Sequence, residues 1–408
     1  MICRSCQHPI SDVFVDLGTA PPSNAFLATD RLQEAEVYYP LKLFTCHHCW
    51  LVQVDEVKSH ADLFAADYVY YSSFSPSWLA HARTYVEHAT DRLALHKGSL
   101  VVEIASNDGY LLQYVVEKGI PCFGVEPTQG TADVARSKDV ETISAFFGES
   151  LAQQLVKARG HADLIIGNNV FAHVPDLIDF IKGLGTLLAP EGTITLEFPH
   201  LHELVRNTQF DTIYHEHFSY FSLESASYAL RSQGLRVYDV EQLGTHGGSL
   251  RLWICHESAS IATCSSVSRI RQLEADVGIS TAEYYRPFAR HVEEVKDNFL
   301  RMLLDERQKG HRLVAYGAAA KGNTLINYAG VRQDLIPYVV DASTYKQGMY
   351  LPGSRIPVVD ESVIARDKPD VILILPWNLR AEIENQLSYA EKWGARFVTV
   401  VPHVEFSV

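Results

Sequence analysis

Short, continuous apolar runs alternate with helix-length segments twice along this 408-residue chain, and that alternation constrains the fold more than any other feature. A strand buried on both faces has no polar side, so it reads as an unbroken hydrophobic run. Such strands belong to parallel sheets covered by helices. The first series is Leu100–Ile104, Phe123–Glu126, Asp163–Asn169 and Thr193–Phe198. The pattern predicts helices over 77–94, over Tyr110–Lys118 with Gly119 placed to end it, over a stretch ending near Pro190, and over 223–233. Val237–Leu243 and Ser249–His256 fit antiparallel additions at a sheet edge. The second series is His311–Tyr316, Tyr338–Val340, Val371–Leu375 and Phe397–Val401, again with helices between.

The expected fold class is therefore α/β, with two Rossmann-like units. A cysteine module occupies residues 1–65, the first α/β unit 66–265, a charged helical connector 266–309, and the second α/β unit 310–408.

Four of the seven cysteines form two knuckles, Cys3-x2-Cys6 and Cys46-x2-Cys49. Two C-x2-C pairs supply four thiolates for a tetrahedral metal, and a site with four protein ligands and no open position is a structural zinc site. His8, His47 and His48 are possible substitutes for a thiolate, but four cysteines is the simpler set. A disulfide framework is not expected, because the N-terminus lacks an apolar signal segment. Cys122, Cys255 and Cys264 read as buried small hydrophobes. No apolar run approaches the ~20 residues a membrane helix needs, so no membrane partner and a cytoplasmic location are expected. The formal charge is −14, which disfavours a nucleic-acid duplex as partner. A monomer or weak dimer is expected.

Glu103-Ile104-Ala105-Ser106-Asn107-Asp108-Gly109 occupies the strand-to-helix turn where a cofactor loop would lie. It lacks the glycines that a pyrophosphate requires, and the carboxylates of Glu103 and Asp108 would repel one. Cationic groups are favoured instead, and the sulfonium and ammonium of S-adenosylmethionine have the right sign. Glu126 ends the next strand, where a carboxylate can accept both ribose hydroxyls. The candidate cofactor contacts are Glu103, Ala105, Asn107, Asp108, Gly109, Glu126 and Asn168, together with Phe146 and Phe147. For the two phenylalanines, core packing is the plain reading and adenine flanking the functional one.

Ligands of open α/β sheets bind beyond the carboxyl ends of the strands. Three polar segments should converge there: Asn168–Val174, Phe210–Phe218 and Thr245–Ser249. Tyr214-His215-Glu216-His217 packs a phenol, two imidazoles and a carboxylate into four residues. An imidazole titrates near neutrality and can take a proton. The alternatives are a metal site, with His215 and His217 completed by His173 or His246, and a solvated histidine run. In the second unit, Tyr316-Gly317-Ala318-Ala319-Ala320-Lys321 opens a helix whose N-terminus favours anions, and Lys321 adds a charge for phosphate. A plain turn with a solvated lysine is the other reading. Asp341 follows the next strand as a candidate for a hydroxyl.

Taken in order, these motifs resemble the deoxysugar C-methyltransferases. The resemblance rests on the two Cys-x2-Cys pairs with Leu-Gly-x3-Pro between them, Val-Glu-Ile-Ala-Ser-Asn-Asp-Gly, Asn-x3-His-Val, Phe-Asp-x2-Tyr-His-Glu-His-Phe, His-Gly-Gly-Ser and Tyr-Gly-Ala-Ala-Ala-Lys. It implies a zinc-binding domain, a class I methyltransferase domain, and a C-terminal α/β domain that holds a nucleotide-sugar. It implies methyl transfer from S-adenosylmethionine to C3 of a nucleotide-diphosphate-linked 4-keto-6-deoxysugar. By this resemblance His217 is the base, Glu216 and Tyr214 its partners, and Asn169 and His173 pocket residues. Tyr68 matches an aromatic pocket residue of the family; Tyr71, His246, Gly247, Tyr316, Lys321, Asn323 and Asp341 are the other candidate substrate contacts. His215 departs from the family pattern, in which an acidic residue stands there. The competing readings are a methyltransferase acting on oxygen of another small acceptor, and a non-catalytic zinc-ribbon adaptor.

Overall fold

The computed structural model describes residues 1–57 and 71–407, so the predicted contact Tyr68 lies outside the described residues. Three sheets organise the chain. The cysteine module contributes β1 (Val13–Ala20), β2 (Tyr39–Thr45) and β3 (Val52–Val54), paired antiparallel in that order.

The first α/β unit opens with helix α1 (Pro76–Arg92). Pro76 stands at the first helical turn, where a missing N–H costs nothing, and the Ser75 hydroxyl accepts from the Trp78 N–H at 3.3 Å. There follow β4 (Val101–Ile104), α2 (Leu112–Glu117), β5 (Cys122–Val125), α3 (Gln129–Ser137), β6 (Thr142–Ile143), α4 (Glu149–Arg159) and β7 (Ala162–Asn168). Next come α5 (Leu177–Leu187), β8 (Leu188–Pro199), α6 (Leu201–Arg206), β9 (Ser219–Tyr220), α7 (Leu223–Arg231), β10 (Leu235–Leu243) and β11 (Ser249–His256). The sheet order is β10-β11-β8-β7-β4-β5-β6, and β11 alone runs against the others. As expected, β10 and β11 are added at one edge of the sheet through antiparallel pairings, with β10 outermost. The helix expected to end near Pro190 ends at Leu187. Pro190 lies inside β8, where its fixed φ suits extended backbone.

The expected connector is α8 (Ser265–Val277), α9 (Ala282–Tyr285) and α10 (Phe288–Gln308). It does more than connect. Phe288 stacks on Phe14 of β1 at 4.4 Å, and Val292, Val295 and Phe299 continue that apolar face. One hydrophobic core therefore runs from the cysteine module through α10 into the C-terminal sheet.

The second α/β unit comprises β12 (Leu313–Tyr316), α11 (Ala320–Tyr328), β13 (Val339–Val340), β14 (Val358–Val359), α12 (Ser362–Asp367), β15 (Val371–Ile374), α13 (Arg380–Gln386), β16 (Arg396–Thr399) and β17 (Glu405–Phe406). Its order is β14-β13-β12-β15-β16-β17, parallel except for β17. The two-residue strand β14 and the terminal β17 were too short to show a hydrophobic run. Cys255 is buried and Cys122 half-buried, but Cys264 is exposed, contrary to expectation, as it caps α8 from outside. Among the described residues no helix is long and apolar enough to cross a membrane.

Candidate active site

The four knuckle cysteines converge. All four Sγ atoms lie within 4.8 Å of one another, with Cys3–Cys49 at 3.6 Å and Cys6–Cys46 at 3.5 Å. Tetrahedral zinc with Zn–S of ~2.3 Å requires S···S of about 3.8 Å, so the donor set fits the metal. The Gln53 amide donates to Cys3 Sγ at 3.2 Å, a bond suited to a thiolate. His8 stacks on His48, and His47 pairs with Asp12 at 2.7 Å, so the four-thiolate set needs no substitute.

At the carboxyl edge of β4, the loop after Ile104 takes left-handed backbone at Ala105, Asn107 and Gly109. Glu126, at the end of β5, fixes this loop. Its Oε2 accepts the Asn107 N–H at 3.0 Å and its Oε1 the Thr128 N–H at 2.8 Å. The loop thus turns on a buried carboxylate, which retains lone pairs for ribose hydroxyls. Glu103 is 1% exposed, and neither of its oxygens has a hydrogen-bond partner within normal geometry. Burial pushes its carboxyl well above the usual range, against the pull of the Tyr110 hydroxyl. Asp108 is bound by Lys138 at 3.3 Å, but its Oδ1 is buried and unpartnered, as is Asn168 Oδ1. A ring of unsatisfied acceptors suits a ligand bearing cationic and hydroxyl donors, and S-adenosylmethionine meets that description. Phe147 packs on Phe180 at 5.6 Å in the core, whereas Phe146 is 44% exposed at the same edge.

The Tyr214–His217 segment is a β-turn, closed by the His217 N–H on the Tyr214 carbonyl at 3.0 Å. Residues at the first and fourth positions of such a turn face each other. Here the Tyr214 hydroxyl meets His217 Nε2 at 2.7 Å. His217 Nδ1 donates to the Thr212 carbonyl at 2.9 Å, which fixes the tautomer and leaves the lone pair on Nε2. Burial depresses the His217 pKa well below its ordinary value, helped by His173, His246 and Lys321. The imidazole is neutral near pH 7. His173 packs edge-on at 4.6 Å, is pushed down to about 4 by burial, and donates from Nδ1 to the Glu216 carbonyl. The two central residues of the turn diverge. His215 bonds the Pro40 carbonyl and packs on Tyr39 of the cysteine module, while Glu216 accepts from Asn24 at 3.2 Å. His215 and His217 therefore do not share a ligand-ready face, and the metal alternative for this segment has no geometry among the described residues.

Asn169, in left-handed backbone, donates to His246 Nε2 at 3.1 Å. His246 sits against the Trp78 ring of α1. A side chain at Gly247 would collide with the Trp377 ring, so only glycine lets the two units close here. Trp377 Nε1 donates to buried Asp211 at 2.7 Å. Lys321 lies over the Trp377 ring at 4.6 Å and donates to Asn378 at 2.6 Å. Thr324, one turn along α11 from Lys321, donates to the Ile213 carbonyl at 2.7 Å, and Asn323 to the Ser23 carbonyl at 2.7 Å. All three units thus meet on residues 211–217.

Other expected contacts lie elsewhere. The Tyr316 phenol turns into the far core, bonded to Glu361 and Gln386, so only its backbone faces the loop. Asp341 accepts the Ala318 and Ser343 N–H groups at 2.7 and 2.8 Å, repeating in the second unit what Glu126 does in the first. Tyr71 stacks on Tyr345 at 4.8 Å. Trp78, Ser23 and Asn24 were missed as contributors, with no signal in the sequence. Asp211, inside the Phe210–Phe218 segment, and Trp377, after the third strand of the second unit, stand out in the sequence but have no role assigned from it. Glu197 was also missed. It is fully buried on β8, where it accepts from His81 at 2.9 Å, Arg251 at 2.6 Å and Thr245 at 2.9 Å, and so holds the loop that presents His246.

The seven-strand order with one reversed strand, and a carboxylate-anchored loop after its first strand, define a class I S-adenosylmethionine-dependent methyltransferase. Residues 78–240 match a family described as "Methyltransferase domain", 244–402 "C-methyltransferase C-terminal domain" and 3–64 "Putative zinc binding domain". C-methyltransferase NovU of Streptomyces niveus is 35% identical over 401 residues, covering 98% of this chain and 95% of that protein. The chain belongs to the deoxysugar C-methyltransferase family and is an S-adenosylmethionine-dependent C-methyltransferase with a zinc-binding domain. Solved structures with which it aligns include magnesium protoporphyrin IX methyltransferase of Synechocystis PCC 6803 with bound SAM (16% identity, 44% of this chain and 81% of that, TM-score 0.34). Another is a SAM-dependent methyltransferase of Anabaena variabilis (13%, 50% and 99%, TM-score 0.38).

Proposed function

We propose that this enzyme methylates C3 of a nucleotide-diphosphate-linked 4-keto-6-deoxysugar through an enolate, with His217 as the base. The observation that carries the reading is the His217 imidazole, neutral by burial, its Nδ1 tied to Thr212 and its Nε2 lone pair met by the Tyr214 hydroxyl. A proton beside a ketone is acidic enough for such a base, because the resulting anion is delocalised onto oxygen. His217 Nε2 takes the C3 proton once the substrate displaces the Tyr214 hydroxyl from it, and that freed hydroxyl, with the Asn169 amide from the loop after β7, would steady the enolate oxygen. Bound S-adenosylmethionine supplies the electrophilic methyl.

Glu103, Glu126, Asp108 and Asn168 would hold the methyl donor over the first sheet. The loop 316–321 and Lys321, on the second sheet, favour an anionic nucleotide. The relationship to a C-methyltransferase along nearly the whole chain supports carbon as the acceptor.

The test follows deuterium uptake at C3 of a panel of 4-keto nucleotide-sugars in D2O, with S-adenosylhomocysteine in place of the methyl donor, and then methyl transfer itself. The wild type should exchange C3, and His217→Asn should lose both exchange and transfer by at least 100-fold. Transfer near the wild-type rate in His217→Asn would refute the assignment of the base.

A further inference from the structure

The catalytic turn lies on no regular element, yet its following residues, Ser219 and Tyr220, leave the methyltransferase unit and complete the sheet of the cysteine module. β9 pairs with β3 through Val52–Tyr220 and Gln53–Ser219, and the Val54 N–H donates to the Phe218 carbonyl at 3.1 Å. The residue directly after His217 is therefore fixed by the zinc-binding module.

Gln53 stands at the centre of that pairing and is fully buried. Its side chain turns to the cysteine site. Nε2 donates to Cys3 Sγ at 3.2 Å, and Oε1 accepts the Arg4 N–H at 3.0 Å. Arg4, the neighbour of Cys3, donates to the Val54 carbonyl at 2.7 Å and lies 5.3 Å over the Phe218 ring. Two routes thus lead from Cys3 to the residue beside the imidazole, one through Gln53 and β3, the other through Arg4. The partner that donates to a metal-bound thiolate orients it and tunes the site. Here that same side chain belongs to the strand that holds β9.

We propose that Gln53 is a positioning residue that couples the four-cysteine metal site to the catalytic turn. Filling the site fixes Cys3, Cys3 fixes Gln53, and the β3–β9 pairing then fixes the backbone from 217 to 220. The proposal rests on the reading of residues 214–217 as the base-bearing turn. It gives the zinc-binding module a part in catalysis without contact between metal and substrate.

The test uses the zinc-loaded full chain and the variants Gln53→Leu, which removes both side-chain bonds, and Gln53→Glu, which keeps the acceptor for Arg4 but loses the donor to Cys3. Zinc release to a chromogenic chelator should quicken about 10–100-fold in both. Hydrogen exchange should rise in peptides spanning 213–221 and stay unchanged across 101–126. S-adenosylmethionine affinity by calorimetry should be unaltered, while kcat falls about tenfold or more. Should Gln53→Leu fail to fold, Gln53→Glu and the wild type freshly stripped of zinc carry the same measurements. Unchanged exchange at 213–221 after zinc loss overturns the proposal. So does a rise spread equally over 101–126, which would make the module a general folding requirement. The base assignment fails separately, if His217→Asn stays active whatever the exchange shows.

Discussion

Asp211 tests whether the junction between the two α/β units is arranged for function at the expense of stability. The side chain is fully buried, and burial raises its pKa from 3.8 to about 6, against the favourable pull of Lys321 and the Trp377 N–H. Burial also lowers the Lys321 pKa, which Asp211 opposes. Each charge is therefore costly, and each is the other's main support. At about 1.4 kcal/mol per pH unit, the rise in the Asp211 pKa corresponds to about 3 kcal/mol. A carboxyl whose pKa is raised on folding contributes stability below its unfolded value, near 3.8, and that contribution is lost as pH rises through about 6. Replacement by Asn keeps an acceptor for Trp377 and removes the charge. Urea unfolding followed by tryptophan fluorescence should show Asp211→Asn more stable than its parent, by up to about 3 kcal/mol at pH 8 and roughly half that at pH 5. Activity should move the other way. Lys321 loses its counter-charge, so the alkaline limb of the rate profile should shift to lower pH. A variant less stable than the parent at pH 8 would refute the reasoning, since the attraction between Asp211 and Lys321 would then outweigh the cost of burial.

Two further perturbations probe strands β5 and β8 of the methyltransferase sheet. Glu126→Ala removes the acceptor of two loop N–H groups and a candidate ribose contact, and should weaken S-adenosylmethionine binding in calorimetry about 10–100-fold; unchanged affinity would detach the carboxylate from the cofactor. Glu197 is fully buried, and its pKa is held at about 2 against an ordinary 4.5 by His81 and Arg251, which overcome the cost of burial. Its contribution of about 3 kcal/mol is present above pH 4.5 and lost as pH falls through about 2. Glu197→Gln should therefore lower stability at pH 7 by about 2–3 kcal/mol, with the gap to the wild type closing in acid; a constant gap down to pH 2 would contradict the assigned cause.

The parts of this protein legible in its sequence are those whose physics is local. A strand buried on both faces must be apolar throughout, so the two parallel sheets were visible as runs. A strand-to-helix loop turning on left-handed residues needs a local set, and Ala105, Asn107 and Gly109 supply it. The Tyr214–His217 pairing was implied by the family resemblance, and a four-residue turn, which brings its ends together, is what realises it. His215 misled, since adjacency suggested a second imidazole in the site, whereas the central positions of a turn point away from its ends. Lys321 was legible as a cation at a helix start, but its setting was not. The Asp211–Trp377 bond spans 166 residues and the Asn323–Ser23 bond 300, and no periodicity encodes contacts at such separations. β9 was hidden because two residues cannot display alternation.

The hidden contacts share one destination, and a chemical reason accounts for it. A base on a strand or helix is held by the ladder of its own element, but His217, the proposed base, sits on a turn and is bonded locally to Tyr214 and Thr212. An orientation error of about an ångström at the base would cost much of the advantage of bringing two reactants together. Support must therefore come from outside, and it arrives from every side: Asn24 on Glu216, Thr324 on Ile213, Trp377 on Asp211, and β3 on β9. Those partners belong to the zinc-binding module and the C-terminal sheet, the two regions that a bare methyltransferase fold lacks. If a methyl donor sits over one sheet and a nucleotide over another, the proton must be removed where the two sheets meet. A turn clamped by both of them, and by a third sheet behind, is a way to keep a base rigid at such a seam, with its Nε2 held by the Tyr214 hydroxyl until a substrate takes that place.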